Sequence, residues 1–538
     1  MKLSRFLLGT LACTMLAACS NEEAQESSLL NEGGQAYMAI NLVAPNALSR
    51  AFEEGTGDES TIGTGRFYFF DENGTAVTVS ERDGNSRNYV EETINFDGNK
   101  ESAGTDNVES THTVLVLDGN SETPAKMLVV LNPPSSWDTS SKSLDDLLKL
   151  SADYETSLQG KNLFVMSNSV YMQDDKIVNT VDNIASHIST SAEAAENNPV
   201  DVYVERVLAK VDVTEGNTSA ELNGDTESMD TEEDFGTGAN NNVMAKIKGW
   251  TIAQRSDKSY LIKHVDSNWY TTSPFYDSKV WNDSTKYRSY WAQIPDGVSV
   301  VNDKSYNEIS GNFDAKYCQE RTGVNPNTVL LVTAELQVGG VATTIAKYAG
   351  ELWTLDDLET HICGQIQNSN SPIYYSTNDG TSYQVLTKDQ IKFRKRTDSE
   401  KETIEAYESV VELESGCESY SFAKDASGTE QYEDADAVKT VLNFYKALVW
   451  DEGKTYYYVP IEHSIGSGSD NKLYGVVRNH YYKINVTGVH GLGTPIPPEG
   501  DDDDIVPETP TDEYTYLATR INVLSWNVVL QNGVILGQ

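Results

Sequence analysis

The chain has 538 residues, enough for two or more domains with sizeable cores. A formal net charge of −42 argues against a nucleic-acid partner, whose phosphates it would repel, and fits a solvated body that resists non-specific association. With 38% hydrophobic residues, 29 tyrosines and little helical periodicity, the composition points to a mainly β protein.

The first nineteen residues read as a secretion signal. Lys2 and Arg5 form its charged end, and the apolar run Phe6 to Leu16 is too short to span a bilayer as a helix. Leu16-Ala17-Ala18-Cys19 has the lipobox pattern of a bacterial lipoprotein, with Cys19 as the lipidated residue; the alternative is a plain secretory peptide with a chance cysteine. No later stretch is long and apolar enough to cross a membrane as a helix.

After a polar tether, Ala36 to Val43 alternates as a strand. Met38, Ile40 and Leu42 face one way, and Tyr37, Ala39 and Asn41 the other. Pro45 ends it and a polar loop follows. In that loop Arg50 is the only Lys or Arg between Arg5 and Arg66. Arg50–Ala51 is therefore an isolated site for a trypsin-like protease, in a setting where nicking concentrates. A cut there releases residues 20–50, first strand included, and an apolar groove opens if that strand leaves its sheet. Taken alone, Arg50 reads more readily as an ordinary loop arginine; beside the two apolar strands and the lipobox, the cleavage site becomes the favoured reading.

Short strands are expected over Arg66 to Phe70, Val77 to Ser80, Thr113 to Leu117 and Lys126 to Leu131. Ser143 to Asp146 resembles a capping box and predicts a helix to about Leu158. Leu163 to Met166 and Asp201 to Ala209 read as strands, and the acidic stretch Glu215 to Asn242 has no periodicity and predicts a loop. Val243 to Ala253 is a strand, followed by a region whose Trp269, Trp281 and Trp291 suit core packing or sugar stacking. Thr328 to Val338 and Val341 to Tyr348 predict a hairpin about Gly339-Gly340. Asp356 to Ile366 and Val438 to Trp450 predict helices, whereas Lys454 to Ile461 and Leu473 to Val489 read as strands.

Catalytic and cofactor signatures are missing: there is no nucleophile elbow, HExxH or phosphate loop. Cys318, Cys363 and Cys417 are odd in number, lack metal-ligand spacing and fit free buried thiols. His463, His480 and His490 also lack ligand spacing, and Asp501 to Asp504 lacks the alternation of a calcium loop. Neither an enzyme, a metal site nor a cofactor is expected.

Gly491 to Glu513 is rich in proline and acid and predicts an extended, solvated linker. Beyond it, Leu524, Trp526, Val528 and Leu530 recur at every second position, an apolar strand that needs a sheet to join. It can pair within its own molecule or in another.

Tyr474 to Pro495, with Val477-Arg478-Asn479-His480 followed by Tyr482, Ile484 and Val486, resembles the C-terminal signature of the Bacteroidales fimbrillins, the type V pilins. Val204 to Val211, Lys246 to Tyr260 and Val523-Leu524-Ser525-Trp526 are similar to other stretches of that family, the last to the donor strand of the Mfa-type major fimbrial shaft subunit. Ser525 departs from the proline often found there. The acidic Asn21 to Glu23 after Cys19 also resembles Bacteroidales surface-export signals.

The resemblance implies two transthyretin-like β-sandwich domains with a few short helices, over 51–204 and 205–492. An acidic linker, 493–513, and a C-terminal donor strand, 514–538, would follow. It implies a precursor palmitoylated at Cys19, anchored in the outer membrane and cut at Arg50–Ala51 by an arginine-specific protease. Loss of the Met38/Ile40/Leu42 strand would let the Leu524/Trp526/Val528/Leu530 strand of another copy enter, building a fimbria. Anchor and tip subunits and host or bacterial receptors are the further partners implied, in adhesion, biofilm formation or colonisation. The alternative is a tip adhesin or a surface lipoprotein that binds glycan or protein. A tip subunit needs a groove but no spare strand, so 514–538 favours the shaft.

Overall fold

The computed structural model describes residues 35–43, 59, 61–82, 85–96, 110–118, 122–135, 137–159, 163–173, 176–215, 228–235, 242–264, 292–302, 304–377, 380–400, 407–463, 474–507, 516–525 and 529–530. The chain is mainly β, as its composition predicts. The first sheet is built from β1 (Gln35–Val43), β2 (Ile62–Phe70), β3 (Tyr89–Phe96), β4 (Ser110–Asp118), β5 (Lys126–Leu131), β6 (Met166–Asn168) and β7 (Val200–Arg206). Across the sheet they run β3-β2-β5-β6-β7-β1-β4. The path curls so that its end strands β3 and β4 approach each other around one apolar core. The centre is covered on both faces, which is why β5 and the second half of β2, Phe67 to Phe70, read as unbroken apolar runs.

The capping-box helix is much shorter than expected. Ser143 does cap it, but it spans only Leu144–Leu148, and Ser151–Asp153 is already extended. A second short helix, α1 (Ala192–Glu196), packs over β1.

Asp201 to Ala209 is not one strand. The chain breaks at the buried Val207 and passes from the first sheet into β8 (Leu208–Glu215) of a second body. That body adds β9 (Met229–Asp234), β10 (Asn242–Ala253), β11 (Lys316–Gln319), β12 (Val329–Val338), β13 (Lys454–Pro460), β14 (His480–His490), β15 (Thr494–Pro495), β16 (Tyr516–Ser525) and β17 (Val529–Leu530). One sheet runs β11-β8-β14-β16-β17 and the other β9-β10-β12-β13-β15. Val211, Val213, Ile484 and Val486 from the first meet Ile247, Trp250, Val332 and Val459 from the second. β9 corrects the loop reading of the acidic stretch: Met229 and Thr231 turn towards the sheet, so a polar sequence still serves as an edge strand on β10.

β12 and β13 pair directly, from Val329↔Pro460 to Glu335↔Lys454, although more than a hundred residues separate them in sequence. The intervening chain, 339–453, is a lobe with its own core, including Leu358, Ile362, Ile366, Val411, Val438 and Leu442. Gly453 closes its base. With φ at +75°, it lies so near β12 that an added Cβ would fall 2.3 Å from the Leu336 carbonyl oxygen.

The hairpin about Gly339-Gly340 is therefore short: Val341–Ala342 pairs back onto β12, and Ile345–Tyr348 leaves for the lobe. Helix Leu355–Gln367 agrees with expectation. The second helix, Ala435–Leu442, stops well before Trp450. Lys446–Trp450 is a strand whose Ala447 and Val449 alternate inward, a period of two that the preceding helical run masks. Cys318, Cys363 and Cys417 are buried free thiols.

Buried polar contacts fasten the two bodies. Lys258–Tyr260 pairs with Ser151–Asp153 across the divide. Arg478, fully buried, pairs with Glu320 at 2.5 Å and donates to the carbonyl oxygens of Leu261, at 2.9 Å, and Tyr260. Lys263 meets Glu205 at 3.0 Å. Removing one member of a buried pair strands the other's charge, so Arg478→Met is expected to cost ~3–5 kcal/mol in urea unfolding.

His463 is buried beside Tyr482, 2.7 Å from its hydroxyl, and close to the His480 ring. Burial, reinforced by the Lys263 charge, pulls the His463 pKa down to about 3 from 6.5. The folded state thus refuses a proton that the unfolded chain accepts. Its effect on stability is nil well above pH 6.5 and grows unfavourable as pH falls towards 3. Between pH 6 and 4 the penalty should approach ~1.4 kcal/mol per pH unit, and His463→Gln should flatten that part of the urea-midpoint profile.

Candidate functional site

β1 comes from the extreme N-terminal part of the chain, yet it lies inside the first sheet. It pairs antiparallel with β4 along its whole length, from Gln35↔Asp118 to Val43↔Ser110. On its other side it runs parallel to β7, from Ile40↔Val200 to Val43↔Tyr203. Tyr37 and Ser189 exchange backbone hydrogen bonds of 2.8 and 2.9 Å beyond the end of that ladder. Met38 and Ile40 are 0% exposed and Leu42 2%, all turned into the core as their alternation predicts. Burying these three side chains contributes roughly 5–9 kcal/mol before ordering costs.

The outward face is less uniform. Ala39 is buried too, opposite in parity to the Met38 row, and α1 packs against β1, so a small residue suits that face. Two residues on, Asn41 donates from Nδ2 to Oδ1 of Asp201 on β7 at 2.9 Å. Neither Ala39 nor Asp201 stands out in the sequence, because each matters only once β1 lies between β7 and α1.

Of the residues singled out in the sequence, Met38, Ile40 and Leu42 thus come together as one apolar row. Cys19, Arg50, Ala51, Trp526 and Val528 lie outside the described residues, as do Trp269, Trp281 and Trp291. Glu59, the next described residue after β1, is clamped. Its carboxylate meets Lys210 Nζ at 2.6 Å and accepts from the Tyr317 hydroxyl at 2.5 Å, and its carbonyl accepts from Arg206 Nε at 2.7 Å. A lone glutamate in an acidic loop gives no sequence signal of this.

The C-terminal strand β16, which carries Leu524, pairs antiparallel with β14 of its own chain, from His480↔Ser525 to His490↔Tyr516. β17, which carries Leu530, folds back on it through Asn522↔Leu530 and Val523↔Val529. The linker before it corrects expectation, because residues 494–507 are docked rather than solvated. β15 pairs with β13, and Ile496 and Ile505 are buried. Asp501 meets Lys454 at 2.5 Å, Asp502 accepts from Asn307 at 2.8 Å, and Asp503 pairs with Lys395 of the lobe at 2.9 Å. Three of the four aspartates that suggested a repelling, extended run find partners on different parts of the fold.

Two separated signature stretches also meet. The Arg206 backbone N–H and Nη1 donate to Asn479 Oδ1 at 3.2 and 3.3 Å, and the Asn479 N–H donates to the Leu208 carbonyl at 2.8 Å. Residues 449–532 match the family described as major fimbrial subunit protein type IV, fimbrillin, C-terminal. That span contains Tyr474 to Pro495 and Trp526, so over it the chain matches the C-terminal region of the fimbrillins.

Among solved structures, a candidate cell adhesion protein from Parabacteroides distasonis is 13% identical, with a TM-score of 0.38 over 92% of this chain and 98% of that one. A second, from Bacteroides eggerthii, is 11% identical, with a TM-score of 0.35 over 91% and 96%. The C-terminally truncated tip fimbrial protein Mfa3 from Porphyromonas gingivalis is 10% identical, with a TM-score of 0.32 over 91% and 100%. At these scores the likenesses do not define a fold, and the architecture stands on the sheets themselves. No curated protein matches the chain in sequence.

Because Ile40 is wholly buried in the slot, Ile40→Ala should destabilise the uncut protein by ~2–5 kcal/mol, read as a lower urea midpoint.

Proposed function

We propose that this protein is a polymerising subunit of a cell-surface fimbria, assembled by exchange of strands between copies. The observation that carries the proposal is the position of β1: an inner strand of the first sheet, supplied by the segment that ends just before Arg50. In this scheme the precursor is lipidated at Cys19 and anchored in the outer membrane. An arginine-specific protease cuts Arg50–Ala51, and the released piece takes Met38, Ile40 and Leu42 with it.

The loss leaves a slot roughly 30 Å long, flanked by the open backbone edges of β4 and β7. Open edges attract strands, and a slot lined with apolar sites selects one with an apolar face. The C-terminal segment bearing Leu524, Trp526, Val528 and Leu530 has that pattern. Its hairpin with β17 is only two residue pairs deep, and to enter a slot residues 523–525 must also leave their pairing with His480–Tyr482 of β14. Head-to-tail addition that does not close yields a filament. The Glu59 clamp supports the same scheme, since it holds the body's new beginning while β1 departs.

A second reading, a tip adhesin or a surface protein binding glycan or protein, is favoured by the lobe 339–453, which has its own core and is not needed to complete either sheet. The two part company in one experiment. Unlipidated precursor is cut with a low dose of trypsin-like protease, its new N-terminus is read by mass, and filaments are sought by electron microscopy with and without residues 514–538. Cleavage before Ala51, with filaments from the full chain alone, is expected. A stable monomer after clean cleavage would favour the second reading.

A further inference from the structure

The slot under β1 carries enough detail to specify how its new occupant lies. Building on the strand-exchange reading, we infer that residues 523–529 of one copy enter the slot of another with the polarity of β1, residue for residue in place of 37–43. Ser525 then lies beneath α1 and Asn527 on Asp201.

Three constraints select this register. The inward sites of Met38, Ile40 and Leu42 must receive apolar side chains. The site of Ala39, covered by α1, must receive a small one. The site of Asn41 must face Asp201, which accepts the Asn41 amide. In the inferred register Leu524, Trp526 and Val528 take the inward sites, Ser525 takes that of Ala39, and Asn527 that of Asn41. The amide–carboxylate contact is reproduced by an identical residue.

The alternatives fail on named residues. A shift of one turns the apolar row outward. A shift of two in one direction puts Val523 beneath α1 and Asn522 into the Met38 site. A shift of two in the other keeps an apolar row, but it puts Asn527 beneath α1 and the apolar Val529 on Asp201. Reversed polarity places Asn527 beneath α1, Asn522 in the Leu42 site or, with Leu530 in the Met38 site, the bulkier Val529 beneath α1. Trp526 faces inward in both same-polarity registers that keep the apolar row, so it does not discriminate between them. In the inferred register Asn522 falls on the site of Ala36, which is itself buried, so the cost of an amide there is confined to the mouth of the slot, where the strand begins.

The test uses the full unlipidated chain, cut at Arg50 and left to assemble. Ser525→Ala should assemble like the parent. Ser525→Leu should lose roughly tenfold or more in filament yield, the effect of an overpacked site. In the competing register Ser525 takes the half-exposed Tyr37 site, where leucine is tolerated.

Cross-linking reads the register independently. Tyr37 lies opposite Val116 of β4, so Val116→Cys should form a disulfide-linked ladder of subunits with Val523→Cys and none with Ser525→Cys. Normal assembly of Ser525→Leu, failure of Ser525→Ala, or a ladder from the second cysteine pair alone would overturn the register while leaving strand exchange standing. Filaments from a chain lacking residues 514–538 would sink strand exchange itself, and the register with it.

Discussion

An inner β-strand is held twice over. Each of its edges is bonded to a neighbour, and its inward side chains fill one layer of a core. β1 meets both conditions, between β4 and β7 and with Met38, Ile40 and Leu42 buried, yet it belongs to a terminal segment that one cut would detach. The first body therefore depends on a strand that it need not own. Whatever occupies that place must satisfy two ladders and a row of apolar sites together. This is a demanding specification, and few segments of the same chain meet it.

The rest of the molecule is fastened by contacts that do not involve β1. Arg478, held by Glu320, reaches the Leu261 carbonyl, Lys263 pairs with Glu205 across the two bodies, and Glu59 is tied to Arg206, Lys210 and Tyr317. Such pairs add little stability relative to apolar packing, but they are costly to break singly, so they favour one fixed arrangement. At the other end the docked aspartates fix where the C-terminal strand departs. Asp503 reaches the lobe and Asp501 reaches β13, so lobe, sheet and arm are held as a unit. A body rigid at both ends is suited to repetition in a filament.

Whereas the C-terminal row is split, with Leu524 on β16 and Leu530 on β17, the period-two row of β1 could be read from the sequence because alternation reports a strand with one apolar face whatever its neighbours are. The same holds for Lys126–Leu131 and for the helix Leu355–Gln367, whose buried Leu358, Ile362 and Ile366 keep helical spacing. Other elements were hidden. Met229–Asp234 is too polar to announce itself, because an edge strand has only one neighbour to satisfy. Lys446–Trp450 follows a helix so closely that a single window blurs two periods. The aspartate run misled because charge on an isolated segment predicts repulsion, whereas Lys454, Lys395 and Asn307 arrive from far away in the chain.

The sequence by itself thus determined the strands with one apolar face, the isolated Arg50 and the signature stretches, all of which are local patterns. Only the tertiary structure decided that β1 is an inner strand, that α1 covers Ala39, that Asp201 faces Asn41 and that two signature stretches touch at Arg206 and Asn479. Those are relations between residues distant in the chain. They follow from how strands order themselves in a sheet, which a one-dimensional period does not encode.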